Sequence, residues 1–134
     1  MAVANAVKAW STEISGGIDA ACTARELLTV HLGDSTAETT LNDLHLLTTE
    51  LVTNAVLHAG AGEADTIEMR VATAPERVRV WITDQGGDGT PEVQTFDPEV
   101  PGGMGLFLVE QISSRWGVER VPDGGNRVWF ELAA

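Results

Sequence analysis

One stretch limits what this chain can fold into: Glu50-Leu51-Val52-Thr53-Asn54-Ala55-Val56-Leu57-His58-Ala59. It closes an apolar-periodic run that begins near Thr40. Leu44, Leu47, Leu51 and Ala55 recur at three- and four-residue steps, so on a helix they share one face. Glu50 and Asn54 are four apart and stack one turn above the other. A carboxylate and an amide beside an apolar stripe are costly to bury without partners. Two readings stand. The pair is a solvated helix edge, or it is a chemical pair: a carboxylate that takes a proton, beside an amide oxygen that ligates a hard cation such as Mg²⁺.

The rest of the chain sets this helix in a particular order. Val3 to Ser15 is ambiguous in sequence, an opening strand with a turn at Gly16-Gly17 being one reading. Ile18 to Leu32 reads as a helix with Ile18, Cys22, Leu27, Leu28 and Leu32 broadly on one side and Gly33 as its C-cap. Cys22 on that side reads as a small core residue. The second helix runs from about Ala37 to Ala59, ended by Gly60. Thr66–Ala74 alternates with Ile67, Met69 and Val71 on one face. Arg77–Thr83 alternates with Val78, Val80 and Ile82 on one face and Arg77, Arg79 and Trp81 on the other. Ala74-Pro75-Glu76 joins the two as a hairpin. A third helix is expected from Gly105 to Trp116 and a last hairpin from Val118–Val121 and Val128–Leu132. Helices and hairpins fall into separate blocks. The expected class is therefore α+β: a two-layer sandwich with a mixed, mostly antiparallel sheet covered on one face by helices, in one domain over residues 1–134.

Charge and cysteine content narrow the partners. The net charge of −12 argues against nucleic acid and anionic membrane surfaces. Lys8 is the only lysine, so a bound anion would need backbone N–H groups, a helix N-terminus or a metal ion. The single Cys22 excludes an internal disulfide and a cysteine zinc site. No apolar run is long enough to span a membrane, and the first residues lack a basic leader with a long apolar segment; the expectation is a cytoplasmic protein.

Two glycine-rich segments bracket a long aperiodic stretch from Asp84 to Gly103. In Asp84-Gln85-Gly86-Gly87-Asp88-Gly89, a carboxylate stands at a strand end before glycines. It is a plain Asp-Gly turn, or an acceptor for an amino group over a pocket that backbone can approach closely. In Gly102-Gly103-Met104-Gly105-Leu106-Phe107-Leu108-Val109, glycines open a helix, and its exposed N–H groups suit an anion without any lysine. The segment is neither a Walker A loop nor a dinucleotide fingerprint.

In this order, Glu-x-x-x-Asn, Asp-x-Gly and Gly-x-Gly-Leu resemble the GHKL (histidine-kinase-like, or Bergerat) ATP-binding domain. The likeness is nearest to the small bacterial anti-sigma-factor serine/threonine kinases. It extends from about Ile18 to Leu132 and includes the terminal Gly-Gly-Asn-Arg-Val-Trp-Phe-Glu-Leu hairpin. The resemblance implies roles at matching positions. Asn54 would ligate the Mg²⁺ that bridges ATP phosphates. Glu50 would be the general base. Asp84 would accept from the adenine amino group, with Gly86 admitting the base. Gly103, Gly105 and Leu106 belong to the phosphate-binding helix start, and residues 87–101 to an ATP lid. Two positions depart from the family pattern. Asp88 stands where a glycine box usually has glycine, and Asn126-Arg127 replaces Gly-Thr in the last hairpin.

The implied function is a Mg-ATP-dependent kinase that phosphorylates a small anti-sigma antagonist on Ser or Thr, with a sigma factor as the other partner and a homodimer as an implied state. The expectation is a chain without upstream histidine-bearing dimerisation helices, whose phosphoacceptor comes from another molecule. The alternative is a non-catalytic binding module of the same fold that sequesters a regulator, which the two departures favour.

Overall fold

The computed structural model describes residues 8–58, 65–85, 105–122 and 124–134. Within them the order is β1 (Lys8–Ser15), α1 (Ala20–Leu32), α2 (Glu38–His58), β2 (Thr66–Ala74), β3 (Arg77–Thr83), α3 (Gly105–Ile112), β4 (Arg115–Arg120) and β5 (Asn126–Ala133). The strands form one five-stranded sheet in the order β1-β2-β3-β5-β4. All four pairings are antiparallel, so the described strands contain none of the parallel pairing that a mixed sheet would have.

Alternation explains the sheet. Ile67, Met69 and Val71 of β2, Val78, Val80 and Ile82 of β3, and Val128, Phe130 and Leu132 of β5 are buried on one face. Against that face lie Ala24, Leu28 and Leu32 of α1, Leu44, Leu47, Leu51 and Val52 of α2, and Leu106 and Val109 of α3. The polar partners of these strand residues, Arg70, Arg79 and Glu68 among them, point the other way. Among the described residues the sandwich thus has one helix-covered face and one open face, as the sequence led one to expect.

Two local expectations hold and two are corrected. The opening segment, ambiguous in sequence, is a full edge strand from Lys8, paired with β2 from Lys8↔Thr73 to Ser15↔Thr66. The inner side of α1 is made by Ala20, Ala24, Leu28 and Leu32. Ile18 precedes the helix and is 91% exposed, and Cys22 is exposed with its Sγ 3.7 Å from Glu26 Oε1. Small alanines at the contact let α1 lie close to its neighbours, and Cys22 falls a half-turn off that line. Gly33 does end α1, but in a right-handed conformation (φ −56°), so no left-handed cap is needed there.

The second correction concerns α3, which stops at Ile112 rather than at Trp116. Ser113 bonds back to the Val109 carbonyl, and Ser114 donates its N–H to the Glu131 carbonyl at 2.8 Å, drawing the chain into β4. Trp116 then packs against the core from a strand. Gly117 lies within β4 instead of ending a helix, and a Cβ there would press into the Trp129 indole at 2.7 Å from Nε1.

Candidate functional site

The long helix α2 carries the first pair. Its apolar positions Leu44, Leu47, Leu51 and Ala55 face the core, which rotates Glu50 and Asn54 to the boundary of that face, where both are half-buried. Burial raises the Glu50 pKa above its ordinary value, because the ionised carboxylate loses water. A carboxylate shifted this way holds a proton more readily and is a better base near neutral pH. One helical turn on, Asn54 offers an uncharged oxygen donor beside it.

Asp84 stands at the end of β3, which packs against α2. It is 8% exposed. Its Oδ1 accepts the backbone N–H of Asn126 at 3.2 Å, and its own N–H donates to the Asn126 carbonyl at 2.9 Å. The terminal hairpin is thereby fastened to the end of β3. Gly125 makes this fit possible, since a Cβ there would collide with the Asp84 carbonyl oxygen. Gly124, with φ of 94°, supplies the left-handed turn residue. Beyond Asp84, Gln85 donates to Thr66 Oγ1 at 3.1 Å, tying this strand end to the start of β2.

Gly105 is the first residue of α3 and Leu106 is buried in the core, so the N-terminus of α3 is anchored from below. α3 also packs against α2. Gly86, Gly103, Asp88, Gly60 and the expected lid over 87–101 lie outside the described residues, as does the side chain of His58. The elements bearing Glu50, Asn54, Asp84, Gly105 and Leu106 are thus neighbours on the helix-covered side of the sheet.

Sequence reasoning named Asn126 only as a departure. The fold makes it a structural partner of Asp84, buried at 4% exposure. Its position was legible only through the hairpin register, in which Thr83 pairs with Arg127. A second polar cluster also escaped notice. Arg25 donates to Thr49 Oγ1 at 3.0 Å, and His45 Nε2 lies 3.0 Å from Thr29 Oγ1, joining α1 to α2 one turn before Glu50.

Among the described residues no three His, Cys, Asp or Glu side chains converge as a metal cage. The donor present, one amide oxygen on α2, is hard and neutral. It fits a magnesium ion whose other ligands are phosphate and water oxygens.

The chain belongs to the family of histidine kinase-like ATPase domains, whose family model matches residues 2–132. No curated protein matches it. Among solved structures it is similar to the RsbU and RsbW domains of Rv1364c from Mycobacterium tuberculosis, with a TM-score of 0.70 and 22% identity. That match covers 93% of this chain and 32% of the other, so the chain spans about a third of that protein's length. At this identity the likeness speaks for the fold. The expectation of an ATP-binding domain of the histidine-kinase-like fold therefore holds at the level of the family. No helix among the described residues is long and apolar enough to cross a membrane.

Proposed function

We propose that the chain binds Mg-ATP on the helix-covered side of its sheet and transfers the terminal phosphoryl group to a Ser or Thr of a small anti-sigma antagonist protein. The observation that carries the reading is Glu50. It is a carboxylate half-buried on α2, with its pKa raised by desolvation, one turn before the amide of Asn54. In this reading Asp84 accepts from the adenine amino group. Its Oδ1 accepts the Asn126 N–H, which holds the carboxylate in one orientation before a ligand arrives. Gly86 admits the base, and Gly103, Gly105 and Leu106 receive the phosphates. Asn54 would hold a Mg²⁺, which would supply positive charge to the phosphates. Glu50 accepts the proton of the incoming hydroxyl as its oxygen bonds the terminal phosphorus, and the bond from that phosphorus to the bridging oxygen breaks, with ADP as the leaving group.

Phosphoryl transfer asks mainly for positioning and charge stabilisation, so this short set of groups is enough. A sigma factor and a second copy of the chain complete the partner set, acting in the cytoplasm. The reading is tested by incubating the protein with γ-labelled ATP and a Ser/Thr-bearing antagonist protein, alongside Glu50→Ala. A kinase labels the acceptor and the variant does not, although the variant still binds nucleotide. Equal behaviour of both proteins in partner binding, without label in either, favours the second reading, a non-catalytic module of the same fold. The replacement of Gly-Thr by Asn126-Arg127 is the feature that speaks for that second reading.

A further inference from the structure

The open face of the sheet is built as an ordered array. Cross-strand register places Gly117, Trp129, Trp81 and Arg70 in one row across β4, β5, β3 and β2. Arg115, Glu131 and Arg79 form the next row. The Arg79 guanidinium lies 4.1 Å from the Trp129 ring centre and 5.5 Å from that of Trp81, and Arg70 lies 5.2 Å from Trp81. Arg79 also donates to Glu131 Oε1 from Nη2 at 3.0 Å and from Nε at 3.3 Å. The indole of Trp129 rests over Gly117, the one position in the row with no side chain to displace it. Stacked cations and ion pairs hold both tryptophans in fixed orientations on a face that no helix among the described residues covers.

This face lacks the excess negative charge of the rest of the molecule. Five of the chain's eight lysines and arginines, Arg70, Arg77, Arg79, Arg115 and Arg127, stand on it with four glutamates, Glu13, Glu68, Glu119 and Glu131, in a chain of net charge −12. Glu131 is nearly buried beneath Arg79, and Glu119 lies 3.6 Å from Arg127. A depression bounded by Ala72, Arg77, Arg79, Trp81, Arg115 and Glu131 therefore carries three guanidinium groups against one carboxylate.

From this array we infer that the open sheet face is a docking surface for an acidic segment of a partner protein, whose carboxylates pair with Arg77 and Arg115 while an apolar side chain lies against Trp81. Charge complementarity selects this occupant. The surrounding acidic molecule repels a long polyanion, whereas a short acidic segment need present only a few carboxylates within the depression, where three guanidinium groups stand against one carboxylate. The preset indoles and guanidinium groups lose little freedom on binding. The surface lies on the opposite face of the sheet from the elements that bear the candidate nucleotide site.

The test uses the full chain and a fluorescein-labelled peptide of Glu-Glu-Leu repeats, read by anisotropy and by the indole N–H resonances of Trp81 and Trp129. The expected result is saturable binding that shifts both indole signals and is weakened by added salt. It falls at least tenfold in the Arg77→Glu, Arg115→Glu double variant, whose two changes are at exposed positions. Lys8→Glu, off the face, leaves it unchanged, and so does Asp84→Asn, which separates this surface from the nucleotide site. The inference is overturned if the peptide does not bind, or if charge reversal weakens it no more than Lys8→Glu does. Oligouridylate shifting the same indoles in place of the peptide also overturns it, as does a stable dimer of the chain that buries them.

Discussion

Asp84 and Asn126 hold each other from both sides: the Asp84 carboxylate accepts the Asn126 N–H at 3.2 Å, and the Asp84 N–H reaches the Asn126 carbonyl at 2.9 Å. One residue is the last inward-facing position of β3's strand direction, the other the first of β5. The link therefore sets the side chain of the candidate site and closes the sheet at one end.

Replacing Asp84 by Asn keeps the shape and the acceptor oxygen for Asn126 but removes the charge. Nucleotide affinity is expected to fall by about tenfold or more, corresponding to ~1.5–3 kcal/mol for a hydrogen bond to a charged group. Folding stability should change by only ~1 kcal/mol. Calorimetric titration and urea unfolding separate the two effects.

Gly125→Ala places a methyl group against the Asp84 carbonyl and must push the hairpin away from β3. A loss of about 1–3 kcal/mol in stability is expected, as for overpacking elsewhere. Gly124→Ala, where nothing crowds the added carbon, is disfavoured only by its positive φ, and should cost about 1 kcal/mol. Reversal of that order in denaturant melts contradicts the close-approach account.

Glu50 sets a pH dependence whose sign follows from its raised pKa. Below the ordinary value near 4.5 the group is protonated in both states and imposes no penalty. As pH rises through the higher folded value, ionising the half-buried carboxylate removes stability. Glu50→Gln cannot ionise, so it should melt at a higher temperature than the parent at neutral pH, with the two curves meeting below about pH 4.5. Melting temperatures across pH 4 to 8 check this.

His45 acts in the opposite direction. Burial first, and then the Arg25 charge, lower its pKa below the ordinary 6.5. Its contribution is complete above that value and is lost as pH falls through the folded one. His45→Gln should flatten the stability profile on the acid side, at a loss of ~0.5 kcal/mol at neutral pH.

Much of this fold is readable in the chain because period-two and helical patterns are strong where one face is buried. β2 and β3 fall where alternation places them, and α2 follows the spacing of Leu44, Leu47 and Leu51. Elsewhere tertiary pairing overrides the local pattern. Ile112 and Trp116 have helical spacing, yet the Ser114–Glu131 backbone bond draws Trp116 into β4. β1 has few apolar residues and is specified chiefly by its partner β2. Cys22 looked apolar in a helical window but lies off the line of alanines that touches the core. At the candidate site, Glu50, Asn54 and Asp84 were visible as residue types at telling positions. The role of Asn126 was hidden, since it depends on a contact with a residue 42 positions away.

Calorimetric titration of Mg-ATP into the protein, with Asn54→Ala and Asp84→Asn measured in parallel, tests the central claim most directly. The account predicts saturable binding that requires magnesium and weakens by about tenfold or more in each variant. Binding that is absent at millimolar nucleotide, or that is indifferent to both substitutions, contradicts it.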